Sequence, residues 1–194
     1  NYTSQSMPEA GWRQEQREAE AKRLYAAAGY SAGNPLRTEI LYNTQENHRR
    51  IALAIAAMWK QVLGVQTKIT NQEWKVFIDT RNRQQETQVY RHGWVGDYND
   101  AFTFAELWRS TSGQNDIGYR NAEYDRLVTA AQSELDLGKR AELLQEAERI
   151  LLADIPLMPL YFYVTARLVK PWVKGYATNI MDHHHHKSFY LLKH

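Results

Sequence analysis

Residues 36–70 read LRTEILYNTQENHRRIALAIAAMWKQVLGVQTKIT, and the two periodicities in this stretch decide the fold class. Leu36 to Tyr42 alternates, with Leu36, Thr38, Ile40 and Tyr42 on one side and Arg37, Glu39 and Leu41 on the other, which is the period of a strand. Thr44 stands where a helix N-cap is wanted, and Ile51, Ile55, Met58, Trp59 and Val62 then keep a helical stripe until Leu63 and Gly64. Val65 to Thr70 returns to strand. A strand, a helix and a second strand in so short a span predict an α/β sheet layered by helices.

The same alternation continues outward. Trp12 to Ala28 is rich in Ala, Glu, Arg and Gln and stops at Gly29, as a helix does. Glu73 to Arg83 reads as helix, Gln88 to Val95 as strand and Ala101 to Trp108 as a short helix. Two longer helices follow, Asn121 to Leu135 with Tyr124, Leu127, Val128 and Ala131 on one face, and Lys139 to Ala153 with Leu143, Ala147, Ile150 and Leu151. Leu157 to Val164, LMPLYFYV, is aromatic and β-branched and reads as one more strand, punctuated by Pro156 and Pro159. From Pro171 the character changes to a Pro-Trp turn, a histidine run and a strand-like SFYLLKH. A boundary is expected near Val164 to Lys170.

The totals exclude several classes. The 24 basic and 22 acidic residues leave a formal net charge of +2 with no long block of either sign, so neither nucleic acid nor an anionic membrane surface is an expected partner. Cysteine is absent, which removes disulfides, thiol nucleophiles and cysteine metal sites. The apolar runs, broken by Asp154, Pro156 and Pro159, fall short of the ~20 residues that span a bilayer. The first residues, NYTSQSMPEAG, have neither the basic start nor the apolar core of a signal peptide and no initiator methionine, so the chain is expected to be a piece of something longer.

Catalytic signatures are missing as well. The sequence contains no GxSxG, GxxxxGK[ST], HExxH or strand-linked GxGxxG, and its carboxylates are scattered over helices, so no enzyme is expected. Asp182 with His183, His184, His185 and His186 could offer imidazoles to Zn²⁺ or Ni²⁺, yet neighbours on a strand point to opposite faces and cannot all close one tetrahedral site. The run also reads as a loop or an engineered sequence.

HGWVGDYND (92–100) brings a strand straight into Gly96 and Asp97. A carboxylate just past a strand end is where open α/β sheets present ligand-binding groups, and a solvated turn is the plain alternative. A zwitterion with an extended backbone would need a carboxylate for its amine, arginines for its carboxylate, aromatic walls and strand edges. Asp97 beside Trp94 and Tyr98, Arg91 on the approach, and Trp74 and Arg81 from NQEWKVFIDTR supply these types. Singly, the tryptophans also read as core and the arginines as surface pairs.

YNTQENH (42–48), MWKQVLGV (58–65), NQEWKVFIDTR (71–81), HGWVGDYND (92–100) and PLMPLYFYVTARLVKPWVKGY (156–176), together with the terminal YLLKH, resemble the oligopeptide-binding proteins of bacterial ABC transporters in order and spacing along nearly the whole chain. The resemblance implies a two-lobed protein that encloses its ligand between lobes. This chain would be the C-terminal portion, an α/β periplasmic-binding-protein-like lobe with a mixed sheet layered by helices. Residues 1–163 would form most of the second lobe, and residues 164–194 the hinge crossover and return segment to the first.

By the same resemblance, Asp97 matches the aspartate that pairs with a peptide's α-amino group. Trp74, Arg81, Arg91 and His48 match positions lining the cavity, and Trp94 and Tyr98 fall in the same motif. The implied partners are short peptides with a free N-terminus, the inner-membrane ABC permease and the N-terminal lobe of the same protein. The implied location is the periplasm or a lipid anchor on the outer face of the cytoplasmic membrane, and no cofactor is expected. A carrier of metal or a metal chelate such as nickel or haem is the rival within the same fold.

Overall fold

The structure, a computed structural model, describes residues 2–84 and 88–193. After α1 (Gln14–Ala27) the chain enters β1 (Arg37–Asn43), α2 (Glu46–Leu63), β2 (Gln66–Gln72), α3 (Trp74–Asn82) and β3 (Val89–Tyr90). The sheet order is β2-β1-β3 and both pairings are parallel, with Ile40 opposite Ile69 on one side and Val89 on the other. Parallel neighbours need a crossover, and α2 and α3 supply it. β1 is the central strand and buries Ile40, Leu41 and Tyr42 in succession, the continuous burial expected of a strand covered on both faces. Ile40, Tyr42 and Ala52 form a first core cluster, with Ile55, Trp59, Ile69 and Val89 packed against it.

A second cluster is helical. The short α4 (Phe102–Ala105), continued by a 3₁₀ turn at Glu106–Trp108, packs against α5 (Ala122–Ser133) and α6 (Leu137–Asp154). Phe102, Leu107, Trp108, Tyr124, Leu127, Val128, Ala131, Leu144, Ala147 and Leu151 are its buried members. Both long helices start on a side-chain cap: Asn121 accepts from the N–H groups of Glu123 and Tyr124, and Asp136 from those of Gly138 and Lys139. Such caps satisfy donors that no helix can satisfy internally, and each contributes about 1 kcal/mol.

The tail forms a separate antiparallel pair, β4 (Val173–Lys174) with β5 (Tyr190–Leu191). Gly175 makes this pairing possible: its φ is +79°, and a Cβ there would lie 1.8 Å from the carbonyl oxygen of Ser188. Among the described residues, no helix is long and apolar enough to cross a membrane.

Four local expectations change. The strand expected over Gln88 to Val95 is only Val89–Tyr90; after the Arg91 N–H reaches Leu41 O at 2.8 Å the ladder stops, and the chain runs on to Gly93 and Gly96. Leu157 to Val164 forms no strand, because Pro159 lacks a donor and no described strand lies beside the segment. Thr44 does not cap α2. Its hydroxyl donates to Gln72 O at 3.0 Å and accepts from Asn71 Nδ2 at 2.7 Å, tying the ends of β1 and β2 together. The strand expected in SFYLLKH shrinks to Tyr190–Leu191, and His194 lies outside the described residues.

Candidate functional site

Parallel strands present their carboxyl ends on one edge, and the residues singled out from sequence leave the sheet there. His48 follows β1 on the first turn of α2, Trp74 follows β2 as the first residue of α3, and Arg91 follows β3 directly. His48 and Arg91 meet through a residue that sequence reasoning missed, Tyr163. Arg91 donates to the Tyr163 hydroxyl oxygen at 2.8 Å, and that hydroxyl lies 3.1 Å from His48 Nε2. His48 Nδ1 lies 3.3 Å from Asn43 O. One proton arrangement satisfies the whole chain: Nδ1–H donates to the carbonyl and Nε2 accepts from Tyr163. This requires neutral His48, and burial first, then the charge of Arg91, lowers its pKa accordingly. The Arg91 guanidinium also lies 5.8 Å from the centre of the Tyr163 ring.

Asp97 and Tyr98 sit on a loop between β3 and α4 that is tied down on three sides. The Asp97 N–H donates to Thr103 Oγ1 at 3.2 Å, and the Tyr98 hydroxyl donates to Glu106 at 3.1 Å. Burial, then Glu106, pushes the Tyr98 phenol up to about 12. Asp100 accepts from the Phe102 N–H at 2.8 Å and pairs with Arg140 at 2.5 Å, fastening the loop to α6. Gly96 allows the loop to lie close to α4, since a Cβ would come within 3.1 Å of Thr103 and 3.2 Å of Phe104. The Asp97 side chain itself is exposed, and its carboxylate has no hydrogen-bond or ion-pair partner among the described residues.

The other three positions divide. Trp74 is 51% exposed and stacks on Phe77 with ring centres 6.1 Å apart, presenting a free indole face. Trp94 is half-buried against the helical core, and its indole N–H is buried without a hydrogen-bond partner among the described residues. Arg81 is not free: it forms a buried ion pair with Asp116, a second residue that sequence reasoning missed. His92 lies 3.7 Å from the same carboxylate, with burial, then Arg81 and Arg91, driving its pKa down to about 4.

The histidine run is tied up differently. His184 stacks on Tyr176, with ring centres 4.6 Å apart, and its Nε2 is 2.7 Å from Asp182. No group of three or more potential ligands that could hold a metal occurs among the described residues. The arrangement thus offers a carboxylate with no partner among the described residues, an arginine and a histidine joined through a tyrosine, and an exposed aromatic face, which are groups suited to binding.

The profile of the bacterial extracellular solute-binding proteins, family 5 Middle, matches residues 1–116. The periplasmic murein peptide-binding protein MppA of Escherichia coli K12 is 42% identical over 194 residues, covering 100% of this chain and 36% of that protein. Its solved structure superposes with a TM-score of 0.91 at 42% identity, over 100% of this chain and 38% of that one. Haemophilus influenzae OppA in complex with the peptide RPPGFSPFR has a TM-score of 0.88 at 40% identity, covering 98% of this chain and 37% of that one. The chain therefore spans little more than a third of the proteins it resembles.

Proposed function

Since the chain belongs to the bacterial extracellular solute-binding proteins of family 5, we propose that it is the C-terminal portion of the peptide-capturing component of an ABC importer. The carrying observation is the Asp97 carboxylate, exposed and without a partner among the described residues, on a clamped loop at the carboxyl edge of the parallel sheet. A peptide's α-ammonium enclosed in a cleft needs such a partner, and the peptide's far end would meet Arg91 and His48, with Trp74 and Tyr98 as aromatic walls. Trp94 serves the packing behind the loop. Residues 1–163 would be most of one lobe, and 164–194 the crossover and return segment to the other; the separateness of the β4–β5 pair from the main sheet supports this division.

The mechanism is hinge closure. A ligand bridging two lobes favours the closed form, and only that form presents the permease with its docking surface. No bond is made or broken. The names of the relatives, periplasmic and peptide-binding, support the periplasm as location and peptide over metal or metal chelate as ligand.

Stranding one charge of a buried pair costs on the order of 2 to 5 kcal/mol. Asp97→Asn in the full-length protein is therefore expected to weaken binding of a free-amine tripeptide by roughly 30-fold to several thousand-fold in calorimetry. The N-acetylated peptide should bind wild type poorly and lose little more in the variant. Equal losses for both peptides, or none for either, would reduce Asp97 to a turn residue.

A further inference from the structure

Arg81 stands in the motif expected to line a ligand cavity, yet its charge is already spoken for. Its side chain is 12% exposed and that of Asp116 6%, so the ion pair is largely removed from water. A guanidinium cannot shed its proton, so burying it demands a fixed anion. Among the described residues Asp116 is the one carboxylate paired with Arg81, and the guanidinium also lies 6.0 Å from the centre of the Phe77 ring. His92, which lies 3.7 Å from Asp116, is held neutral by burial and by Arg81 and Arg91, and so adds no compensating charge.

The loop that carries Asp116 is also well anchored. The Asp116 N–H donates to Gln114 O at 2.9 Å, and the adjacent Asn115 side chain donates to Arg109 O at 3.2 Å and Tyr119 O at 2.8 Å while accepting from the Tyr119 N–H at 3.1 Å. This knot of hydrogen bonds fixes the loop, so Asp116 cannot swing away at little cost. An acidic ligand group approaching Arg81 would have to share a guanidinium with a resident carboxylate and meet its negative charge.

We propose that Asp116 is a specificity-determining residue that neutralises Arg81 from within the protein, excluding acidic side chains from this part of the cleft and leaving Arg91 as the basic group open to ligand. The proposal rests on the reading of the cleft as a peptide site. Asp116 itself touches no ligand in this scheme; it acts through Arg81.

The test uses the full-length protein and tripeptides in which Glu or Gln occupies each position in turn. In Asp116→Asn, the Glu-over-Gln affinity ratio measured by calorimetry should rise at least ~10-fold at one position; an unchanged ratio at every position overturns the proposal. A second readout needs no peptide. Phenylglyoxal modification of Arg81, followed by mass spectrometry, should be slow in wild type and at least ~10-fold faster in the variant, and equal rates overturn the pairing. Wild type that binds none of the peptides would sink the peptide reading alone, since the modification rates still decide the counter-ion. Should Asp116→Asn fail to fold, the double variant Arg81→Gln/Asp116→Asn should fold, because it strands no charge; a double variant that also fails to fold overturns the proposal.

Discussion

Tyr163 shows how a single hydroxyl organises a site made from distant segments. It accepts from Arg91 and lies against His48 Nε2, so two basic residues from different strand ends are held by a third group from the C-terminal third of the chain. A hydroxyl donating to Nε2 stabilises the neutral imidazole, and the Arg91 charge acts in the same direction. Tyr163→Phe removes the first effect and releases Arg91, weakening the second. The His48 pKa, followed by NMR titration of its ring, should therefore rise in the variant. Tyr163 is itself largely exposed, so the unfolding free energy should change by no more than about 0.5 kcal/mol. A His48 pKa that stays in place or falls would show that the hydroxyl does not donate to the ring.

At the scale of elements, the β4–β5 pair depends on one backbone position. Gly175 combines a left-handed φ of +79° with a would-be Cβ 1.8 Å from Ser188 O, and an L side chain satisfies neither condition. The histidine run lies between these two short strands, and its packing of His184 on Tyr176 depends on the same turn. Gly175→Ala is expected to open the pair while leaving the parallel sheet and the α5–α6 core intact. The bond from Leu192 N–H to Trp172 O, 2.8 Å long, reports on this: the Leu192 amide should exchange with solvent at least ~10-fold faster, with amides of β1 unchanged. Unaltered exchange at Leu192 would mean that the turn tolerates the methyl group by shifting as a body.

For the molecule as a whole, the main feature is an apolar segment that stays largely exposed. Phe162 is 89% exposed and Val164 88%, in a stretch rich in aromatic and β-branched residues that forms no strand among the described residues. On the proposed reading, the rest of the full-length protein covers this segment and supplies the far wall of the cleft. The 194-residue chain alone should then bind peptides at least ~100-fold more weakly than the full-length protein, a difference of about 2.7 kcal/mol or more. It should also self-associate through the exposed segment, visible as a concentration-dependent sedimentation coefficient. Equal affinity in calorimetry would make this chain a self-sufficient binder.

The alternation of strand and helix through β1, α2 and β2 was legible because burial on one face imposes a period of 2 on a strand and 3.6 on a helix, and both survive in a linear string. Asp97 was legible as a candidate because a carboxylate just past an expected strand end lies at one edge of an open α/β sheet, and Arg91 and Trp74 because they are the basic and aromatic types a peptide would need; His48 came from the family resemblance alone. The length of β3 and the state of Leu157 to Val164 were not, since pairing depends on whether a neighbouring backbone is present and not on side-chain pattern. The same limit hid Asp116 and Tyr163. Each gains its meaning from a partner 35 or more positions away, Arg81 for one and Arg91 and His48 for the other, and Coulomb attraction and hydrogen bonding act over ångströms of space, whatever the separation along the chain. The sequence determined which charged groups this protein carries near the edge of its sheet; only the tertiary structure decided that Arg81 is paired with Asp116 and that Asp97 has no partner among the described residues.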